Sequence, residues 1–237
     1  MAQLTYRESV SLSIAQAMRK DPKVFFIGED VGAAGGVFKA TVGLLDEFGK
    51  DRVMDTPISE QAILGAAMGA AMAGLRPIAE IMFSDFLAVC WDIVANQIAK
   101  TRYMSDGQIN IPLVIRTANG GGSKFGAQHS QSLQSLMAHI PGLVVIMPAD
   151  PKSIVESYRY AVQHHKGPVV MLEHRLLYEL SFEDDDAELS HPLFGSKIEK
   201  EGSDITIVAT SVMVLEAKRA AEHLEKNGVS VELINLH

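Results

Sequence analysis

The chain has 237 residues, 47% of them hydrophobic and 21% charged, the balance of a folded globular protein. At about 150 residues per domain, that length holds one large domain, or one domain and part of another. A formal net charge of -8 argues against a nucleic-acid partner.

Thr5 and Glu8 form a capping-box pattern that opens a helix reaching about Arg19. Lys23 to Ile27 predicts a short strand, closed by Gly28, Glu29 and Asp30. A glycine-rich stretch, Gly32 to Gly36, leads to a short helix near Leu44 to Phe48. The segment Asp55-Thr56-Pro57-Ile58-Ser59-Glu60 then introduces a helix of small residues running from about Ser59 to Gly74. Pro57 and Ser59 fit its entry, where proline is tolerated and a hydroxyl can satisfy free amides. Gly65, Gly69 and Ala73 recur on one face of it and allow another backbone to approach. Arg76 to Phe83 predicts a strand, Phe86 to Met104 a long helix, and Pro112 to Arg116 a further strand.

After a loop, Asn119 to Gln128, Ser130 to Ile140 reads as helix and Leu143 to Met147 as strand. Ser153 to His165 is a helix and Val169 to Leu172 a strand. The strands are continuous apolar runs that alternate with helices. This is an α/β fold, a parallel sheet with helices on both faces. Ser181 to Ser203, with the acidic run Glu183 to Asp186, reads as a linker with a short strand near Lys197. Ile205 to Ala209, a helix Val214 to Lys226 capped by Gly228, and Val229 to Asn235 start a second α/β unit. The expected division is a domain over residues 1–190 and a partial, apparently truncated C-terminal domain over 191–237.

The single cysteine, Cys90, reads as a small buried hydrophobe. The first residues lack the basic-then-apolar order of a secretory signal. The apolar run Ala62 to Leu75 falls short of the ~20 residues that span a bilayer. The expectation is a soluble cytoplasmic protein, or a mitochondrial or plastid matrix protein in a eukaryote, with no membrane partner.

Four constellations can carry chemistry. Glu60 places a carboxylate at a helix mouth, where it can serve proton chemistry or merely favour the helix dipole. Gly120 to Ser130 is a glycine-rich loop ending at His129, which can titrate near neutrality or belong to a surface loop. Phe83-Ser84-Asp85-Phe86 and Gly28-Glu29-Asp30 follow strands, where parallel sheets place ligands. Phosphate-loop, dinucleotide and zinc spacings are absent, as is a Gly-x-Ser-x-Gly elbow.

In order, these segments resemble the β subunit of the thiamine diphosphate-dependent, decarboxylating component of 2-oxo acid dehydrogenase complexes. The matching stretches are Ile27 to Val31, Gly35 to Lys39, Asp55 to Glu60, Ala73 to Pro77, Phe83 to Phe86, Ala99 to Met104, Ala127 to Ser132, and Pro141 to Leu143. Each alone is weak; the ordered set is specific. The resemblance implies a transketolase-like fold whose pyrimidine-binding domain is residues 1–190. It implies that Glu60 hydrogen-bonds the cofactor's aminopyrimidine and favours the imino tautomer that removes the thiazolium proton. Phe86 would pack on that ring, Ile58 would line its pocket, and Glu29 would support Glu60. His129 would face the substrate and assist acyl transfer to a lipoyl group.

The resemblance further implies an α subunit that holds Mg2+ and diphosphate through a Gly-Asp-Gly motif, which this chain lacks. A second β subunit in an α2β2 assembly and a lipoyl acyltransferase would complete the set. No metal ligand is expected in this chain, and pyruvate, branched-chain 2-oxo acids and acetoin are all open as substrates. Two other readings stay beside this one. The chain could be a truncated, non-catalytic assembly module, or another transketolase-like thiamine diphosphate enzyme.

Overall fold

The structure, a computed structural model, describes residues 4–182 and 195–237. The acidic run Glu183 to Asp186 and the expected boundary at 190/191 lie outside the described residues.

Strand β1 (Leu4–Thr5) leads into helix α1 (Tyr6–Lys20). The capping box is formed: the Thr5 hydroxyl accepts from the Glu8 amide at 3.2 Å, and the Glu8 carboxylate accepts from the Thr5 amide at 2.8 Å. Next come β2 (Val24–Gly28), α2 (Leu44–Phe48), β3 (Val53–Asp55), α3 (Glu60–Met72) and β4 (Arg76–Phe83). β3 has three residues, too few for a sequence period to register.

The long helix expected over Phe86 to Met104 is broken. A 3-10 turn (Ser84–Ala88), a π-helical segment (Ile93–Ile98) and α4 (Thr101–Met104) take its place. Leu87, Cys90, Val94 and Ile98 are buried at helical spacing all the same. Spacing reports which face is covered, and it does not distinguish an i→i+4 ladder from the i→i+5 bond that Ala99 makes to Val94.

β5 (Val114–Asn119), α5 (Gln134–Ala138), β6 (Val144–Ile146), α6 (Pro151–Arg159), β7 (Val169–His174) and β8 (Ser181–Phe182) follow. α5 begins four residues later than Ser130. β5 and β7 run past their expected ends, Arg116 and Leu172, because polar Thr117, Asn119, Glu173 and His174 are buried with partners. β8 pairs antiparallel with β1.

Strands β3-β2-β4-β5-β7-β6 form one parallel sheet. One face packs on Tyr6, Val10 and Ile14 of α1 and on Ile154 and Tyr158 of α6. The other packs on Leu64 and Ala67 of α3 and on Leu87, Val94 and Ile98 of the broken helix. This is the doubly covered parallel sheet expected. A smaller sheet of β9 (Lys197–Lys200), β10 (Ile205–Ala209) and β11 (Val231–Asn235) carries helix α7 (Met213–Lys226). Its order is β10-β11-β9, with β10 and β11 parallel.

The centre of the large sheet holds charge. Arg116 of β5 donates to Glu80 of β4 and to Glu173 of β7, and all three are buried. Glu173 also accepts from the Tyr158 hydroxyl at 2.7 Å and the Tyr178 hydroxyl at 2.9 Å. Burial pushes the Glu80 carboxyl up, Arg116 pulls it down, and Glu173 raises it again. Glu80 lies close beside the end of β2: a Cβ added to Gly28 would lie 2.9 Å from the Glu80 Cβ.

Candidate active site

Strand order reverses at β2, which has β3 on one side and β4 on the other. In open parallel sheets, ligands bind beyond the carboxyl ends of the strands at such a switch point. Glu29 is the first residue after β2 and Glu60 the first of α3, which follows β3. Phe86 lies in the turn after β4, and His129 ends a 3-10 turn (Ala127–His129) after β5. Ile58 lies between β3 and α3. All five predicted residues therefore occupy the same end of the sheet.

Glu29 and Glu60 are both half-buried. The Glu29 carboxyl is held above its ordinary range, first by burial and then by the charges of Asp30 and Glu60. The two predicted carboxylates thus share a field. Ser59 does not supply the expected cap: its hydroxyl makes no bond to the α3 amides, because the residue is exposed with ψ 85°. The first turn of α3 is left with Glu60 as its acid. Ile58 is 75% exposed, an apolar side chain standing open beside that helix mouth. Asp55 pins the glycine-rich loop, accepting from the Gly32 amide at 2.7 Å and the Ala33 amide at 3.2 Å.

Cys90 is buried, its Sγ 3.7 Å from the Phe86 carbonyl. Burial and the Glu60 charge push its thiol up to about 12, so it serves as packing. Phe86 is half-buried and meets the His129 ring edge to face, with centroids 5.2 Å apart. His129 also meets Phe83 at 4.7 Å. Two pairs are therefore brought together, Glu29 with Glu60 and Phe86 with His129, while Ile58 contributes open apolar surface.

Sequence reasoning missed Arg175 and the rings around it. Arg175 follows β7 directly, and its guanidinium lies 5.2 Å from the Phe83 centroid and 5.0 Å from that of Phe125. Phe38 meets both rings, at 5.4 and 6.5 Å. The available signal was the polar triplet Glu173-His174-Arg175 closing an apolar strand. Asp85 was singled out only within its motif; its Oδ1 accepts from the Gln131 side chain at 2.9 Å and backbone amide at 3.2 Å.

Gly120, at φ +97°, lies against the His174 ring; an added Cβ would be 2.1 Å from Nε2. Gly120→Ala is expected to cost at least about 2 kcal/mol, from backbone strain and overpacking together. Urea unfolding measures it. His174 is buried, and burial followed by the Arg175 charge lowers its pKa to about 4. The unfolded chain, near the ordinary 6.5, binds the proton more readily. Stability should therefore be full above pH 6.5 and decline by roughly 2 kcal/mol as the pH falls toward 4. Unfolding at pH 7 and pH 5 should show this slope reduced in His174→Gln.

The doubly covered parallel sheet is that of a transketolase-type protein. Residues 2–181 match the pyrimidine binding domain of transketolase, and residues 195–237 match the transketolase C-terminal domain. The chain belongs to the family of β subunits of 2-oxo acid dehydrogenases. It is 44% identical to the mitochondrial pyruvate dehydrogenase E1 component subunit beta-1 of Oryza sativa subsp. japonica, covering 99% of this chain and 63% of that protein. It is 40% identical to the 2-oxoisovalerate dehydrogenase subunit beta of Bacillus subtilis, covering 100% of this chain and 72% of that protein. The chain thus spans about two thirds of the length of these relatives. A solved split-gene transketolase, described as an inactive beta4 tetramer, shares the fold with a TM-score of 0.81 at 23% identity, over 99% of this chain and 71% of its own.

Proposed function

We propose that this chain is the pyrimidine-side half of a thiamine diphosphate site in a 2-oxo acid dehydrogenase. In this reading it acts with an α subunit that carries a Gly-Asp-Gly motif and holds Mg2+ and diphosphate. The observation that carries the reading is the Glu29 and Glu60 carboxylate pair at the switch point, at the same end of the sheet as the half-buried Phe86 ring. These residues fit the aminopyrimidine end of the cofactor. Glu60 offers an acceptor for a ring nitrogen, Phe86 a face to pack on, and Ile58 an uncovered apolar wall. The buried Thr56 hydroxyl, without a partner among the described residues, lies at the same edge.

When bound, the cofactor supplies the electron sink that lets a 2-oxo acid lose CO2. The chain's own residues manage protons and water around it. Glu60 would hold a proton at a pyrimidine nitrogen of the cofactor. Glu29, its carboxyl raised by burial and by the charges of Asp30 and Glu60, would support Glu60 in that role. Phe86 and Ile58 exclude water from the ring. His129, packed on Phe83 and Phe86, faces the substrate and assists acyl transfer to a lipoyl group on an acyltransferase component. An α2β2 assembly, with a second β subunit, is part of the proposal.

The test is reconstitution with an α subunit bearing Gly-Asp-Gly, thiamine diphosphate and Mg2+. CO2 release from pyruvate or a branched-chain 2-oxo acid should require both chains and the cofactor, with acetoin cleavage assayed alongside. No cofactor-dependent release of CO2 and no acetoin cleavage would favour a non-catalytic assembly module.

A further inference from the structure

We propose that Arg175 is a positioning residue: it latches the glycine-rich loop of residues 120–126 over the site and so sets the His129 ring against Phe83 and Phe86. Arg175 follows a central strand and is only 7% exposed. Its Nη2 donates to the Gly120 carbonyl, where the loop leaves β5. Its guanidinium also lies against both the Phe83 and Phe125 rings, which meet each other at 6.3 Å. Phe125 is carried by the loop and is 54% exposed, so burial alone does not hold it down. The cation beneath it adds an attraction that a planar guanidinium makes better than an ammonium. One side chain thus grips the start of the loop, a ring near its far end, and the ring on which His129 rests.

The grip is releasable. Nε and Nη1 of Arg175 are buried without a hydrogen-bond partner among the described residues. Asp85, whose charge acts on Arg175, makes no ion pair with it among the described residues, and its Oδ1 is engaged by Gln131. When the loop lifts, those two donors gain water, which offsets part of the lost stacking. The latch therefore holds a closed loop without locking it. Its catalytic consequence, the setting of His129, rests on the functional reading above.

The latch itself is tested by limited trypsin digestion of the full chain. Lys124 is exposed in the loop and offers the cleavage site. Arg175→Met should speed cleavage after Lys124 about tenfold, with Tm and cleavage elsewhere close to wild type. Phe125→Leu should reproduce the effect, and Arg175→Lys should fall between Met and wild type. An unchanged rate after Lys124, or faster cleavage at all sites in parallel, would overturn the latch.

The link to His129 is tested in the reconstituted complex. Arg175→Met should reduce kcat for transfer to a lipoyl acceptor several-fold more than kcat for CO2 release to an artificial oxidant. Equal losses would overturn that link. A wild-type complex that releases no CO2 would refute the functional reading instead, and the digestion would still decide the latch.

Discussion

Glu60→Gln is expected to lower thiamine diphosphate-dependent CO2 release by the reconstituted complex by about 10²–10⁴-fold, the range of a positioned acid–base group. The substitution keeps the size and hydrogen-bonding reach of the side chain but removes its charge and its proton. Glu60 is half-buried at the head of α3, and its charge is felt by both Glu29 and Cys90. Glutamine removes that field and leaves the Glu29 carboxyl raised by burial and Asp30 alone. Folding should change little, since no side-chain hydrogen bond ties Glu60 to the other described residues. Matched urea transitions and matched co-elution with the α subunit, together with lost turnover, are the expected pattern.

Arg116→Met is expected to have the largest effect on stability, a loss of about 3–5 kcal/mol at pH 7. Methionine fills much of the same space but leaves Glu80 and Glu173 facing each other in the interior without their shared cation. Glu173 retains the two tyrosine donors, whereas Glu80 has no other side-chain bond among the described residues. Protonation of Glu80 is the available relief. Its folded-state pKa is already raised, so the folded chain binds that proton more tightly than the unfolded chain. The stability it contributes is present at low pH and lost as the pH rises through the folded-state value. The deficit of Arg116→Met should therefore narrow between pH 7 and pH 5. Urea transitions at the two pH values measure it, and an unchanged midpoint at pH 7 would contradict the account.

Local rules carried the sequence reading where local physics decides. Thr5 and Glu8 announced a capping box, and the structure forms both of its bonds. Leu44 to Phe48 is the short helix expected. The apolar runs at Val24, Arg76 and Val169 are parallel strands. What stayed hidden depends on contacts between distant residues. Thr117, Asn119, Glu173 and His174 are polar residues inside strands, and no apolar pattern extends across them. The 3-10 turn Ser84–Ala88 and the π-helical segment Ile93–Ile98 interrupt a helix whose buried residues keep helical spacing.

At the candidate site, Glu29, Ile58, Glu60, Phe86 and His129 were singled out through an ordered resemblance, and the structure places all five at the same end of the sheet. Arg175 was not. Its role depends on Phe83, Phe125 and Gly120, which lie 92, 50 and 55 residues away in the chain. No window along the sequence joins them.

The central claim is that Glu60 governs the proton at the cofactor's pyrimidine. Hydrogen–deuterium exchange at the thiazolium C2 position, in the complex with the α subunit and thiamine diphosphate, tests it without requiring turnover. Exchange should be fast in the wild type and slowed by at least about a hundredfold in Glu60→Gln. Equal exchange rates in the two, with the cofactor bound in both, would contradict the assignment.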